Sequence, residues 1–122
     1  MKLSEAIRLG AMLKPQGFGQ SEAHSCALGA AMDALGGSLH SSGADTPDLV
    51  KHFPDMYAMS ANCPECGRFH HYMTGCIALC LNDKHRWTRE QIADWVATIE
   101  DQQREAEREA LHQRVLAGGV PI

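Results

Sequence analysis

The sequence predicts a small, mainly α-helical domain with one cysteine-bearing loop and a long C-terminal helix, and three observations lead there. Aromatic residues are few, with 2 Trp, 2 Tyr and 3 Phe in 122 residues. β-Branched runs are equally scarce, so the core has to come from Ala, Leu, Ile, Val and Met, which suits helices better than packed sheets. Apolar residues recur at three- and four-residue spacing towards both ends of the chain, the periodicity of an amphipathic helix. Four cysteines and three histidines crowd between Cys63 and His85, in a chain short enough for a crosslink there to add useful stability.

The first helix is expected over residues 4–14. Leu3, Ile7, Ala11 and Met12 share a face, Ser4 is a candidate N-cap, and Glu5 lies in the first turn. Pro15, Gly17 and Gly19 end it. A second helix is expected over 21–35. Its small residues, among them Ser25, Cys26, Gly29, Ala30 and Ala34, let another helix approach closely, and Gly36 and Gly37 stop it. Thr46, Pro47 and Asp48 form a helix-start signal for a short helix over 47–52, with Pro54 as its limit. Residues 61–72 read as a loop, and a short helix carrying Ile77, Leu79 and Leu81 is expected over 75–84.

The strongest local signal lies at Trp87 to Ile92. Thr88 is an N-cap, Gln91 stands at the capping-box position, and Trp87 is placed to staple onto Ile92. Behind them Ile92, Trp95, Val96 and Ile99 mark one apolar face. Beyond Glu100 the chain is nearly all charged or amide, with Ala106, Ala110 and Leu111 as a thin seam. The expected organisation is one domain over residues 1–122: N-terminal helices over 1–60, a metal loop and short helix over 61–87, and the C-terminal helix over 88–117.

Formal net charge is −4, which argues against a chain whose main business is binding nucleic acid. No apolar run approaches a membrane span. The start of the chain, broken by Glu5 and Arg8, does not read as a signal peptide. The expected compartment is the cytoplasm, where thiols stay reduced and five cysteines read as metal ligands or buried thiols.

Cys63-Pro64-Glu65-Cys66-Gly67 has the form of a zinc knuckle. Two thiolates two residues apart can grip one ion, and the glycine permits the turn that aims amides at the sulfurs. Three completions are open. Cys80 and His85 give gaps of two, thirteen and four residues between successive ligands, the spacing of a finger in which a loop supplies one pair and a helix the other. His71 and Cys76 give gaps of two, four and four, the spacing of a retroviral-type knuckle. Here, though, Pro64 and His70 stand where that pattern has an aromatic and a glycine. Cys76 and Cys80, one helical turn apart, complete a four-thiolate set. The first is preferred, because it ties the loop to the core. Cys26 lies outside the cluster and reads as core packing.

The segment from Leu81 through Asn82, Asp83, His85, Trp87, Arg89, Glu90, Gln91, Ile92 and Ala93 to Trp95 resembles one in a group of short proteins of bacteria and their prophages. The stretches from Met1 to Gly10 and from Ser25 to Ala31 resemble the same group. In that group a histidine often stands at the place of Cys80. The resemblance therefore implies a Cys/His exchange at a ligand, and a setting as a phage or mobile-element accessory protein. It brings no activity with it.

The functional expectation is a non-enzymatic zinc-binding interaction protein that binds and modulates a host protein complex. The zinc is expected to be structural, and self-pairing through the C-terminal helix is a further expectation. The alternative is a nucleic-acid-binding or transcription-regulatory zinc module. For that role Arg68, Lys84, Arg86 and Arg89 would form a basic patch, with Phe69 and Tyr72 the aromatics available for base stacking. A thiol-rich site reads as closed rather than catalytic.

Overall fold

The computed structural model describes residues 1–17, 26–36 and 51–118. Its elements are α1 (Leu3–Gly10), α2 (Ala27–Ala34), α3 (Pro54–Ala58), a short antiparallel ribbon of β1 (Ala61–Asn62) and β2 (Phe69–His70), one helical turn α4 (Met73–Gly75) running into a π-helical segment (Cys76–Lys84), and α5 (Arg89–Leu116). The protein is thus mainly helical, with a cysteine-bearing loop and a long C-terminal helix.

α2 is the centre. All six residues from Ala27 to Met32 are buried, and a helix apolar on every side belongs inside a core. α1 packs on α2 so closely that a Cβ at Gly10 would lie 1.5 Å from the Ala30 carbonyl oxygen. Both helices pack on α5, and the π-helical segment packs on α2 and α5. Leu3, Ile7, Leu28, Met32, Met73, Ile77, Leu81, Ile92 and Val96 are fully buried within this core.

Several boundaries differ from the sequence reading, for identifiable reasons. α1 starts at Leu3 with Lys2 as an N-cap whose side chain makes no capping bond, so Ser4 is not its cap. The Ser4 N–H and hydroxyl instead donate to the Glu100 carboxylate, and the far helix supplies the anion that the helix start favours. α1 ends at Gly10 rather than Lys14, in a tightened turn where Met12 and Leu13 amides reach back three residues. Met12 is 82% exposed rather than on the core face. The carbonyls of Ala11 and Lys14 then accept from the Arg89 guanidinium, at 3.2 and 2.7 Å.

α2 begins at Ala27. Cys26 caps it, its sulfur accepting the Gly29 amide at 3.4 Å, a role beyond the core packing expected. Residues 18–25, and 47–50 of the expected 47–52 helix, lie outside the described residues. Lys51 and His52 are helical and Phe53 is not, so the expected helix does stop before Pro54, which is also the first residue of α3, where its missing N–H does no harm. The loop over 61–72 closes into a ribbon pairing Ala61 with His70 and Asn62 with Phe69.

The expected helix over 75–84 starts with Met73 and winds as a π-helix. His85 N–H reaches the Cys80 carbonyl five residues back, at 2.8 Å. Such stretches are rare and gather at functional sites. At its end Arg86 takes φ 56°, a left-handed conformation costing a non-glycine residue roughly 1–2 kcal/mol. Beneath it Asn82 is fully buried. Its amide oxygen accepts from Gln16 and the Ala27 N–H, at 3.0 and 3.3 Å, and its amide nitrogen donates to the Gly17 carbonyl at 2.9 Å. Those bonds pin the π segment to the start of α2.

α5 carries the capping box read from the sequence: Thr88 and Gln91 satisfy each other's backbone amides. Ile92 and Val96 are buried, Trp95 and Ile99 half-buried against the core. At about 1.5 Å per residue α5 is about 42 Å long, and from Asp101 to Leu116 every residue but Gln103 is exposed.

Candidate metal centre

The hairpin between β1 and β2 is shaped around Cys63. The Cys63 amide donates to the Arg68 carbonyl at 2.8 Å, and the Gly67 amide to the Cys63 carbonyl at 2.9 Å. Gly67 sits at φ 76°, a conformation natural to glycine. The Cys66 amide points at the Cys63 sulfur from 3.5 Å. These are the amide-to-sulfur contacts that stabilise a thiolate.

The π-helical segment brings the other half. Cys80 Sγ lies 3.6 Å from Cys66 Sγ, and His85 Nε2 lies 3.4 Å from Cys80 Sγ. The donor atoms of Cys63, Cys66, Cys80 and His85 are all within 4.8 Å of one another, a group that could hold a metal ion. This is the first of the three ligand sets considered above. His71 and Cys76, the alternatives for the second pair, are not in the group. His71 is exposed, its ring edge-on to Phe69 at 5.1 Å between centroids. Cys76 is fully buried and lies outside the group of four.

The thiols divide by environment. Burial works against the Cys63 thiolate, yet the amides of Cys66 and Glu65 and the thiols of Cys80 and Cys66 hold its pKa below the ordinary thiol value. The exposed Cys66 is lowered by the Arg68 amide and the His85 imidazole. Burial, reinforced by Cys63 and Cys66, pushes Cys80 up to about 12, and burial with the Cys63 charge does the same to Cys76. The surroundings therefore favour the thiolate at Cys63 and Cys66 more than at an ordinary cysteine. At Cys80 the thiol is favoured instead, because a third negative charge in so small a space is unfavourable without a compensating cation.

Glu65, inside the knuckle, has a positioning role that the sequence reading missed. Its Oε2 lies 3.5 Å from His85 Nδ1 and accepts the Trp87 indole N–H at 2.6 Å. It thus orients the far side of the imidazole whose Nε2 faces the sulfurs. Its position between Cys63 and Cys66 was the available signal. Arg89, expected in a basic patch, is buried under α1 and does not belong to the site.

No protein-family model matches the chain, and neither does any curated protein or solved structure. Among the described residues no helix is long and apolar enough to cross a membrane.

Proposed function

We propose that Cys63, Cys66, Cys80 and His85 bind one zinc ion that staples the domain, and that the protein is a non-enzymatic interaction factor acting in the cytoplasm. The observation that carries this is the closed set of four converging donors. Zinc–sulfur bonds of about 2.3 Å and zinc–nitrogen bonds of about 2.0–2.1 Å in a tetrahedron place two sulfurs about 3.8 Å apart and a sulfur and a nitrogen about 3.6 Å apart. The 3.6 and 3.4 Å separations at Cys80 are close to those values, and the four donors together lie within 4.8 Å of one another, so an ion would draw them in by no more than about 1 Å. Four protein ligands leave no position for a reacting water, which favours a structural ion over a catalytic one.

The interaction half of the reading rests on α5. Its last turns extend past the core with Leu111, Val115 and Leu116 exposed, and an isolated helix of that length is marginal in water. A partner surface, either on a host or phage protein complex or on a second copy of α5, would give those turns something to pack on. The resemblance to prophage proteins adds the setting of a mobile-element accessory factor.

Metal content of protein purified without added zinc tests the staple: one zinc per chain is expected, and none refutes it. Cys80→Ser should lose the ion and Cys76→Ser should keep it. For the interaction, substituting Leu111 and Val115 with Glu should abolish capture of the partner, or dimerisation, while leaving zinc content at one per chain. Unchanged association would refute the role of α5.

A further inference from the structure

We infer that Cys66 and Cys80 form a redox-reactive pair: a hydroperoxide oxidises the exposed Cys66 thiol, Cys80 closes a disulfide onto it, and that bond takes over the fastening of the hairpin to the π-helical segment. Release of zinc in this reaction rests on the zinc reading, whereas the disulfide itself does not.

Access selects the first step. Among the four converging donors, the Cys66 thiol is exposed, while Cys63 and Cys80 are only 3% and 2% exposed. Cys26 and Cys76, outside the group, are buried as well. Oxidation of cysteine follows the accessibility of its sulfur, so an oxidant arriving from solvent meets Cys66 first.

Geometry selects the second step. Cys80 Sγ lies 3.6 Å from Cys66 Sγ, and a disulfide bond of about 2.05 Å requires the two to approach by about 1.5 Å. That movement falls to Cys66, which sits in the exposed turn between β1 and β2, just ahead of Gly67. Cys80 is held in the core by the π-helical segment. Joining Cys66 to Cys63 instead would close the bond within one four-residue turn. It would also take Cys63 Sγ from the Cys66 amide that points at it from 3.5 Å.

The chemistry balances with the hydroperoxide as the co-reactant. Its O–O bond breaks as Cys66 Sγ takes one oxygen, which leaves an alcohol and a sulfenic acid. Cys80 Sγ then attacks Cys66 Sγ, the S–S bond forms, and the sulfenic oxygen leaves as water. The two sulfurs together give up one electron pair, and the peroxide receives it. From the zinc-loaded site the ion departs with two of its ligands lost, and solvent protons complete the alcohol and the water.

Zinc would join the hairpin, through Cys63 and Cys66, to the π-helical segment, through Cys80 and His85. A Cys66–Cys80 bond joins the same two elements, between residues 14 apart in sequence. It restricts the unfolded chain, so the oxidised protein keeps its fold without the metal.

The test is hydrogen peroxide at equimolar concentration, added to the full chain as purified, with zinc content measured beforehand and mass spectrometry of the unreduced digest afterwards. Trypsin with a glutamate-specific protease separates Cys63 from Cys66 by cutting after Glu65, and fragmentation distinguishes Cys76 from Cys80. Cys66–Cys80 is the expected disulfide, with about one zinc released for each bond formed, read by a chromophoric chelator. Reducing the oxidised chain again in the presence of chelator should lower its melting temperature by about 10 °C or more. Cys76→Ser should form the same bond as the parent. The proposal is overturned by a dominant Cys63–Cys66 or intermolecular disulfide, by sulfinic acid at Cys66 with Cys80 still reduced, or by thiols left intact. An unchanged melting temperature after reduction would overturn it too. A chain that holds no zinc as purified yet forms the Cys66–Cys80 bond would uphold this pair and refute the zinc staple alone.

Discussion

Glu65 offers the sharpest test of how the centre is built. Its Oε2 serves two groups, the Trp87 indole at 2.6 Å and His85 Nδ1 at 3.5 Å. Carboxylates behind metal-bound imidazoles contribute about 10- to 100-fold to affinity. Here the contact to His85 is longer than the roughly 2.9 Å of a good hydrogen bond, and the carboxylate is 48% exposed, so screening places the effect at the lower end. Glu65→Gln keeps an acceptor for Trp87 and loses the charge facing His85, so zinc affinity should fall about tenfold, or about 1.4 kcal/mol. Glu65→Ala also leaves the indole N–H without its partner. Because Trp87 is only half-buried and water can reach it, the added cost is about 1 kcal/mol, which makes the total about fiftyfold. Competition against a chromophoric zinc chelator reads both variants, with far-ultraviolet circular dichroism to confirm the fold. An affinity for Glu65→Ala within twofold of the parent would refute the reasoning.

Three further outcomes follow from the same structure. Arg89→Met strips two partners from the Ala11 and Lys14 carbonyls and should cost about 3 kcal/mol in urea unfolding; a loss under about 0.5 kcal/mol would show that water replaces the guanidinium. Gly10→Ala gains about 1 kcal/mol of helix propensity, yet its Cβ meets the Ala30 backbone, which no rotamer relieves. A net loss of at least about 2 kcal/mol is expected, and an unchanged or raised melting temperature would refute the close packing. Since Cys80 is pushed up to about 12 without an ion, zinc must displace its proton. Titration calorimetry at pH 7.5 in buffers of different ionisation enthalpy should therefore show at least one proton released per zinc, and affinity should rise with pH. No proton release would contradict the assigned ligand state.

Local rules made some parts legible. Thr88 and Gln91 announce the start of α5 because a capping box is satisfied within four residues, and Cys63, Cys66 and Gly67 announce a knuckle because the turn and its amides are contiguous. The fold class followed from scarcity of aromatics and from helical periodicity. Features depending on distant partners were not legible. Ser4 looked like a cap by composition, yet the capping anion arrives from Glu100, nearly the whole chain away. Pro54 signals a boundary, and the helix before it does end at His52, but that Pro54 also begins the next helix depends on its neighbours.

The sequence by itself determined that this chain is mainly helical and that Cys63 and Cys66 have the spacing of half a metal grip. Spacing left three ways to complete that grip, because Cys76, Cys80, His71 and His85 all lie within reach along the chain. Only the tertiary structure separated them. Winding residues 76–84 as a π-helix, pinned by buried Asn82, turns Cys80 and His85 to the knuckle and leaves Cys76 in the core. Donor convergence is a matter of directions in space, and those are set by packing, which no linear spacing contains.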